Sequence, residues 1–139
     1  MSTVGVQHHQ FLIDGEWVDT DHAYEIINPA TEEIVATVAK GSVAHADLAV
    51  ASAKRAFESG VWSRKSPEER SQVMMAIAER LATDMEELLF LETAANGATV
   101  RQAAGFHVGL ASTHFTYFAE LAATYPFETA APTVTYPTL

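Results

Sequence analysis

The sequence predicts a mixed α/β chain: two short N-terminal β-hairpins, then four helices, then an extended arm. Three observations carry this reading. Asp14-Gly15 separates the apolar runs Phe11-Leu12-Ile13 and Trp17-Val18. Asn28-Pro29-Ala30-Thr31 separates two runs rich in β-branched residues, Tyr24–Ile27 and Ile34–Ala39. From Val43 onward, apolar residues recur at helical spacing between start and stop signals.

Asp-Gly tolerates the positive φ angles of a tight hairpin, so the first pair of runs reads as antiparallel strands. In the second turn, Pro29 presets φ and cannot donate to a ladder, while the Asn28 side chain can bond its own backbone. Val43, Val50 and Phe57, with Ala46 and Ala53 between them, form one apolar stripe. Ser42 caps this first helix and Gly60 stops it. Ser66-Pro67-Glu68-Glu69 places a cap, a proline at the first helical position and a glutamate at the third, which makes a capping box. The second helix buries Val73, Met74, Ile77, Ala78 and Leu81. Thr83-Asp84-Met85-Glu86 repeats the box for a third helix that ends at Asn96-Gly97. Thr99 with Gln102 opens a fourth, running to about Ala123. The tail ATYPFETAAPTVTYPTL carries three prolines and one strand-like piece, Thr133–Tyr136, and reads as a connector entering an extended arm.

With 139 residues, 48% of them apolar, the chain has one domain's worth of material and enough for a core. The net charge of −10 argues against a nucleic-acid surface, which needs clustered basic residues. No basic amphipathic segment suggests a membrane surface. Cysteine is absent, which removes disulfides, thiolate metal sites and a cysteine nucleophile from this chain. MSTVGVQHHQ lacks a signal-peptide pattern, and the expected location is cytoplasmic. Between Gln102 and Ala119 there is no charged residue. Gln102, His107, Ser112, Thr113, His114 and Thr116 would be costly in hydrocarbon, so this reads as a helix buried in a larger soluble body.

Candidate chemistry is sparse. His107 and His114 share a helical face with no carboxylate on that helix within reach of either, which favours lining or half-buried histidines over a metal or acid–base pair. His8 and His9 fall in a terminus expected to be flexible. Glu32-Glu33, Glu68-Glu69 and Glu86-Glu87 sit in turns or first helical turns, where negative charge suits the helix dipole. No glycine-rich phosphate loop exists; Gly105 and Gly109 lie inside a helix, where they allow close approach of another segment or a ligand.

The order of the pieces resembles the beginning of an aldehyde dehydrogenase. FLIDGEWV, INPATEEIVATVAKG, AFESGVWSRKSPEERSQVM and LETAANG match that family's I-x-G-x-W hairpin, N-P-A-T-G-E turn, A-F-x-x-x-x-W helix end, S-P-x-x-R helix start and E-T-x-x-N-G turn. Ile13, Gly15, Trp17, Asn28, Pro29, Ala30, Thr31, Ala56, Phe57, Trp62, Ser66, Pro67, Arg70, Glu92, Thr93, Asn96 and Gly97 stand at the matching places.

The resemblance implies an α/β parent. It divides this chain into a flexible N-terminus (1–10), the amino-terminal part of a cofactor-binding domain (11–123), and a connector with the start of an oligomerisation arm (124–139). It implies oxidation of an aldehyde to a carboxylic acid with NAD or NADP, in a homo-oligomer, dimer or tetramer. In that family a cysteine thiolate attacks the carbonyl and a glutamate activates the water that cleaves the thioester. Those residues and the cofactor contacts are expected beyond Leu139, so no catalytic or cofactor-binding residue is assigned here.

The helix after the E-T-x-x-N-G turn lines the family's substrate tunnel. The equivalent residues are Phe106 and Leu110, with His107, His114 and Phe118 nearby. Some members hold a cation near the N-P turn with an aspartate just before Asn-Gly. That place is Ala95 here, and Ile26 and Ile27 offer only main-chain oxygens, so no metal ligand is assigned. The alternative is a truncated member serving as a non-catalytic interaction or regulatory module. Whether the reading frame continues past Leu139 separates the two.

Overall fold

The computed structural model describes residues 6–133. The first hairpin joins β1 (Gln7–His9), β2 (Phe11–Ile13) and β3 (Glu16–Val18) in chain order, but only β2 and β3 pair with each other, antiparallel, Phe11 opposite Val18 and Ile13 opposite Glu16. Asp14 at φ 58° and Gly15 at φ 82° make the two-residue turn with both central residues left-handed, as Asp-Gly favours. The second hairpin, β4 (Ala23–Ile27) and β5 (Ile34–Ala39), is also antiparallel, with an irregularity at Ile26/Ile27. Its turn closes as Asn28 allows: Oδ1 accepts from Ala30 N at 2.9 Å, and Glu32 N donates to the Asn28 carbonyl at 2.8 Å.

β1 has no counterpart in the sequence reading, which leaves this stretch in a flexible terminus. It pairs parallel with β5, Gln7 opposite Ala36, and completes a three-stranded sheet of order β1-β5-β4. His8 fastens it: Nε2 donates to Asp19 Oδ1 at 2.9 Å, and Nδ1 meets Thr37 Oγ1 at 2.8 Å. The bond from His8, then those from Thr20 and Gln10, hold the Asp19 carboxyl below the usual carboxylate range.

Four helical stretches follow. The first is α1 (Val43–Ser59), and the second is α2 (Pro67–Thr83). α1 starts at Ser42, whose hydroxyl accepts from His45 N, and ends at Gly60 in the left-handed region, φ 70°. The β2–β3 hairpin is clasped to α1 through Asp14, which accepts from Arg55 at 2.7 Å and from Ser52 at 3.1 Å. α2 carries the expected box: Ser66 N donates to Glu69 Oε2 at 2.7 Å, and Glu69 N donates to Ser66 Oγ at 3.2 Å. Ser66→Ala is therefore expected to lower stability by about 1 kcal/mol. An unchanged urea midpoint would contradict the cap.

The expected box at the third helix, α3 (Met85–Asn96), does not form. Asp84 stands at its N-cap without a side-chain bond to the helix. The same residue ends α2, and its carboxylate is taken by Arg80 one turn back, while the Thr83 hydroxyl donates to Glu79 O at 2.9 Å. Asp84 also stands at φ −89°, ψ 11°, outside the extended conformation from which Ser42, Ser66 and Thr99 reach their helix amides, and Arg80 draws its Oδ2 back toward α2.

The fourth helix is broken into three parts: α4 (Val100–Gln102), a π-helical turn (Ala103–His107) and α5 (Val108–Thr124). Thr99 caps it as expected, accepting from Gln102 N at 3.3 Å. α5 lies against α2, and Ser112 Oγ reaches the Ala78 carbonyl at 3.0 Å.

The core is thin. Among the described residues the buried apolar ones are alanines: Ala36, Ala39, Ala78, Ala94, Ala103 and Ala119. Of the expected buried face of α2, Ala78 is buried and Met74 and Leu81 are half-buried, but Val73 and Ile77 are exposed. The stripe on α1 faces solvent, with Val43 80% and Phe57 78% exposed. The accessible area is 10955 Å², against about 7,100 Å² for a compact monomer of this length. Of the strand-like piece Thr133–Tyr136, Thr133 is in no strand and the rest lies outside the described residues.

Candidate functional site

The two turns singled out in the sequence meet in space. Gly97 ends α3 at φ 76°, donating its N–H to Thr93 O at 3.0 Å. A Cβ placed there would lie 2.6 Å from Pro29 Cγ, so the Asn96-Gly97 turn seats on the Asn28-Pro29 turn without room for a side chain. Asn96 works on both sides of this junction. Its Oδ1 accepts from Ala98 N at 2.8 Å, and its Nδ2 donates to Glu92 Oε1.

Glu92 also receives a short hydrogen bond from His107 Nδ1. The carboxylate that the fourth helix does not bring within reach of His107 is thus supplied by α3. This partner was out of reach of helical spacing, because it is set by packing across 15 residues of sequence. The His107 bond first, and the Asn96 bond second, hold the Glu92 carboxyl below its usual range. A carboxylate with a lowered folded pKa stabilises the fold above its unfolded pKa, and that contribution disappears as pH falls through the folded value. Stability is therefore expected to drop on acidification below about pH 4.3, and Glu92→Gln should flatten that limb. Urea midpoints measured down to about pH 3 check this; identical pH slopes in the two proteins would refute it.

Phe106 and Leu110 fall on opposite sides of the break in the helix. Phe106 belongs to the π turn and is 69% exposed, whereas Leu110 belongs to α5 and is 36% exposed. Phe106 borders a groove of about 520 Å³ together with Thr99, Arg101, Gln102 and Gly105. Leu110 does not border that groove. The simple stacking of residues four apart is altered, because the π turn puts one more residue into that revolution. His114 and Phe118 are exposed farther along α5, Phe118 edge-on to Tyr117 with centroids 5.1 Å apart.

A second groove, about 590 Å³, runs between α2, α3 and Val100, with Leu89, Phe90 and Met85 among its walls. The Thr93 hydroxyl on its border has no hydrogen-bond partner among the described residues.

For the nicotinamide dinucleotide that the resemblance implies, the place to test among the described residues is a strand-to-helix junction. The junction where a strand runs into a long helix is β5 to α1, through Lys40-Gly41-Ser42. Pyrophosphate sites at such junctions need open amides and close-approach glycines. Here the Phe11 ring lies 3.2 Å from where a Gly41 Cβ would stand, and Ser42 and His45 cap the helix. The residues at this junction do not fit the group. Among the described residues no cluster of three histidine or acidic side chains could hold a metal, and no helix is long and apolar enough to cross a membrane.

Comparison with known proteins gives this arrangement a family. The chain is 39% identical over 113 residues to betaine aldehyde dehydrogenase of Bacillus subtilis, covering 80% of this chain and 23% of that protein. It is 37% identical to the human mitochondrial 10-formyltetrahydrofolate dehydrogenase, covering 12% of it. Among solved structures, it superposes with a TM-score of 0.81 on a mutant of aldehyde dehydrogenase C from Pseudomonas syringae complexed with NAD+ and octanal. That match is 40% identical and covers 89% of this chain and 26% of the other. Betaine aldehyde dehydrogenase of Staphylococcus aureus in complex with NAD+ gives 0.77 at 34% identity, over 91% of this chain and 25% of that one. The chain therefore spans from 12% to 26% of the length of these relatives. A model of the aldehyde dehydrogenase family matches residues 17–137, and the chain belongs to that family.

Proposed function

We propose that this chain is the amino-terminal segment of an NAD(P)-dependent aldehyde dehydrogenase that oxidises an aldehyde to a carboxylic acid. Within that enzyme its roles are packing, one wall of the substrate entrance through Phe106 and Leu110, and the start of an oligomerisation arm in residues 124–139. The enzyme is a cytoplasmic homo-oligomer in this reading. NAD is the first cofactor to try, since the solved relatives from P. syringae and S. aureus carry NAD+.

The observation that carries the reading is the seating of the Asn96-Gly97 turn on Pro29. It joins two motifs 68 residues apart in the sequence (97 − 29) at a contact that admits no side chain. The thin alanine core and the uncovered apolar stripe of α1 also favour a segment built to be covered by more protein.

The segment by itself is expected to be inactive. It has no cysteine to serve as nucleophile, and its β5–α1 junction is closed by the Phe11 ring. Calorimetric titration of the isolated chain with NAD and NADP, together with an aldehyde turnover assay, tests this. The expected result is no saturable binding and no turnover; micromolar binding or any turnover would overturn it.

A further inference from the structure

We infer that Gly109 and the His107–Glu92 pair are positioning residues for the substrate entrance: Gly109 permits the π turn Ala103–His107, the pair locks it, and the turn sets the direction of Phe106. This inference rests on the reading of Phe106 as a wall of that entrance.

The turn has a local signature. The Val108 N–H reaches back five residues to the Ala103 carbonyl, instead of the usual four. π turns are rare and occur mostly as single turns inside α-helices, often at functional sites. Such a turn needs something to hold it, because the regular register is the default of the chain on either side.

Gly109 is shaped for the π register. A Cβ there would lie 2.1 Å from the Ala104 carbonyl oxygen and 3.3 Å from its carbon. That carbonyl is backbone, five residues earlier, and cannot swing away as a long side chain would. Gly105, in the same segment, has nothing within 4 Å of its Cβ position. Of the two glycines, only Gly109 stands where a side chain and the π turn cannot coexist.

Two contacts hold the turn from the inside. Ala103, its first residue, is fully buried. His107, its last, is tied to Glu92 on α3, and Glu92 is held in turn by Asn96. The lock therefore continues into the Asn96-Gly97 turn and from there to Pro29. Phe106 sits between these anchors and borders the groove with Thr99, Gln102 and Gly105. Removing the extra residue of the turn would rotate Phe106 about the helix axis by about 100° relative to α5. The ring would then leave the groove it now borders.

The test uses the complete enzyme carrying this segment, with three variants: Phe106→Ala, Gly109→Ala and His107→Gln. The readouts are the ratio of kcat/KM for an aromatic and a short aliphatic aldehyde, and amide exchange across 103–109. Phe106→Ala is expected to shift the ratio by about 10-fold or more. Gly109→Ala should shift it in the same direction, slow exchange at the Val108 amide as the regular register forms, and add nothing on the Phe106→Ala background. His107→Gln should speed exchange through the turn and shift the ratio less, about 3-fold. If Gly109→Ala fails to fold, His107→Gln carries the test alone. A shift with Phe106→Ala but none with the other two variants overturns the inference and leaves Phe106 a wall. No shift with Phe106→Ala overturns the wall, and the inference with it.

Discussion

Gly97→Ala is expected to destabilise the protein by about 2–5 kcal/mol, from two costs that can be separated. The first is conformational: φ is 76°, where an L side chain crowds the following carbonyl at a cost of about 1–2 kcal/mol. The second is steric. The new Cβ would stand 2.6 Å from Pro29 Cγ, and the proline ring is rigid and held in its own closed turn. Overpacking of this kind costs about 1–3 kcal/mol.

Gly60 supplies the comparison. It also has a positive φ, 70°, but the atoms nearest its Cβ position all belong to the guanidinium end of Arg64, which can move aside at the loss of an exposed bond to the Ser59 carbonyl. Gly60→Ala should therefore show chiefly the conformational cost, about 1–2 kcal/mol, without a rigid steric clash. Urea denaturation of Gly97→Ala, Gly60→Ala and the double variant Gly97→Ala/Pro29→Ala checks the division. The double variant should recover the steric part and keep the conformational part. Equal losses for Gly97→Ala and Gly60→Ala would mean that the two turns do not bear on each other.

The features legible in the sequence were those whose causes are local. Asp14-Gly15 and Asn28-Pro29 dictate their turns through their own φ preferences and side-chain bonds, and both hairpins formed with the expected strands. Ser42, Ser66 and Thr99 cap helices because a short oxygen-bearing side chain lies beside free amides. Asp84 shows the limit of that logic. Its neighbour Arg80, one turn earlier, competes for the same carboxylate, and a motif match does not weigh competitors.

The rest depended on contacts between distant parts of the chain. Gln7–His9 is polar and without alternation, so nothing in it announces a strand; its partner β5 lies 29 residues away at the His8–Thr37 contact. The π turn has no composition of its own, and Gly109 read as a glycine for close approach without revealing that the approaching group is the helix's own carbonyl. Glu92 was placed by its motif, but its bond to His107 needed the packing of α3 against the π turn. Phe106 and Leu110 came from family resemblance and not from periodicity, which alone would have left them as core.

Ala78→Leu is expected to destabilise by about 2–3 kcal/mol, although alanine and leucine are both good helix formers. Ala78 is only 2% exposed, and α5 crosses it closely enough for Ser112 Oγ to donate to the Ala78 carbonyl at 3.0 Å. Ala119, on α5, is fully buried as well. Helices that approach through alanines leave no volume for three more carbons, so a leucine must push α5 outward and break the Ser112 bond. Loss of that bond alone, as in Ser112→Ala, should cost only about 0.5–1.5 kcal/mol. Ala76→Leu, on an exposed position of the same helix, should stay within about 0.5 kcal/mol of the parent. Denaturation midpoints for the three variants decide the matter. If Ala78→Leu matches Ala76→Leu, the α2–α5 contact has slack, and the close packing of these two helices is not what holds the helical half of the chain together.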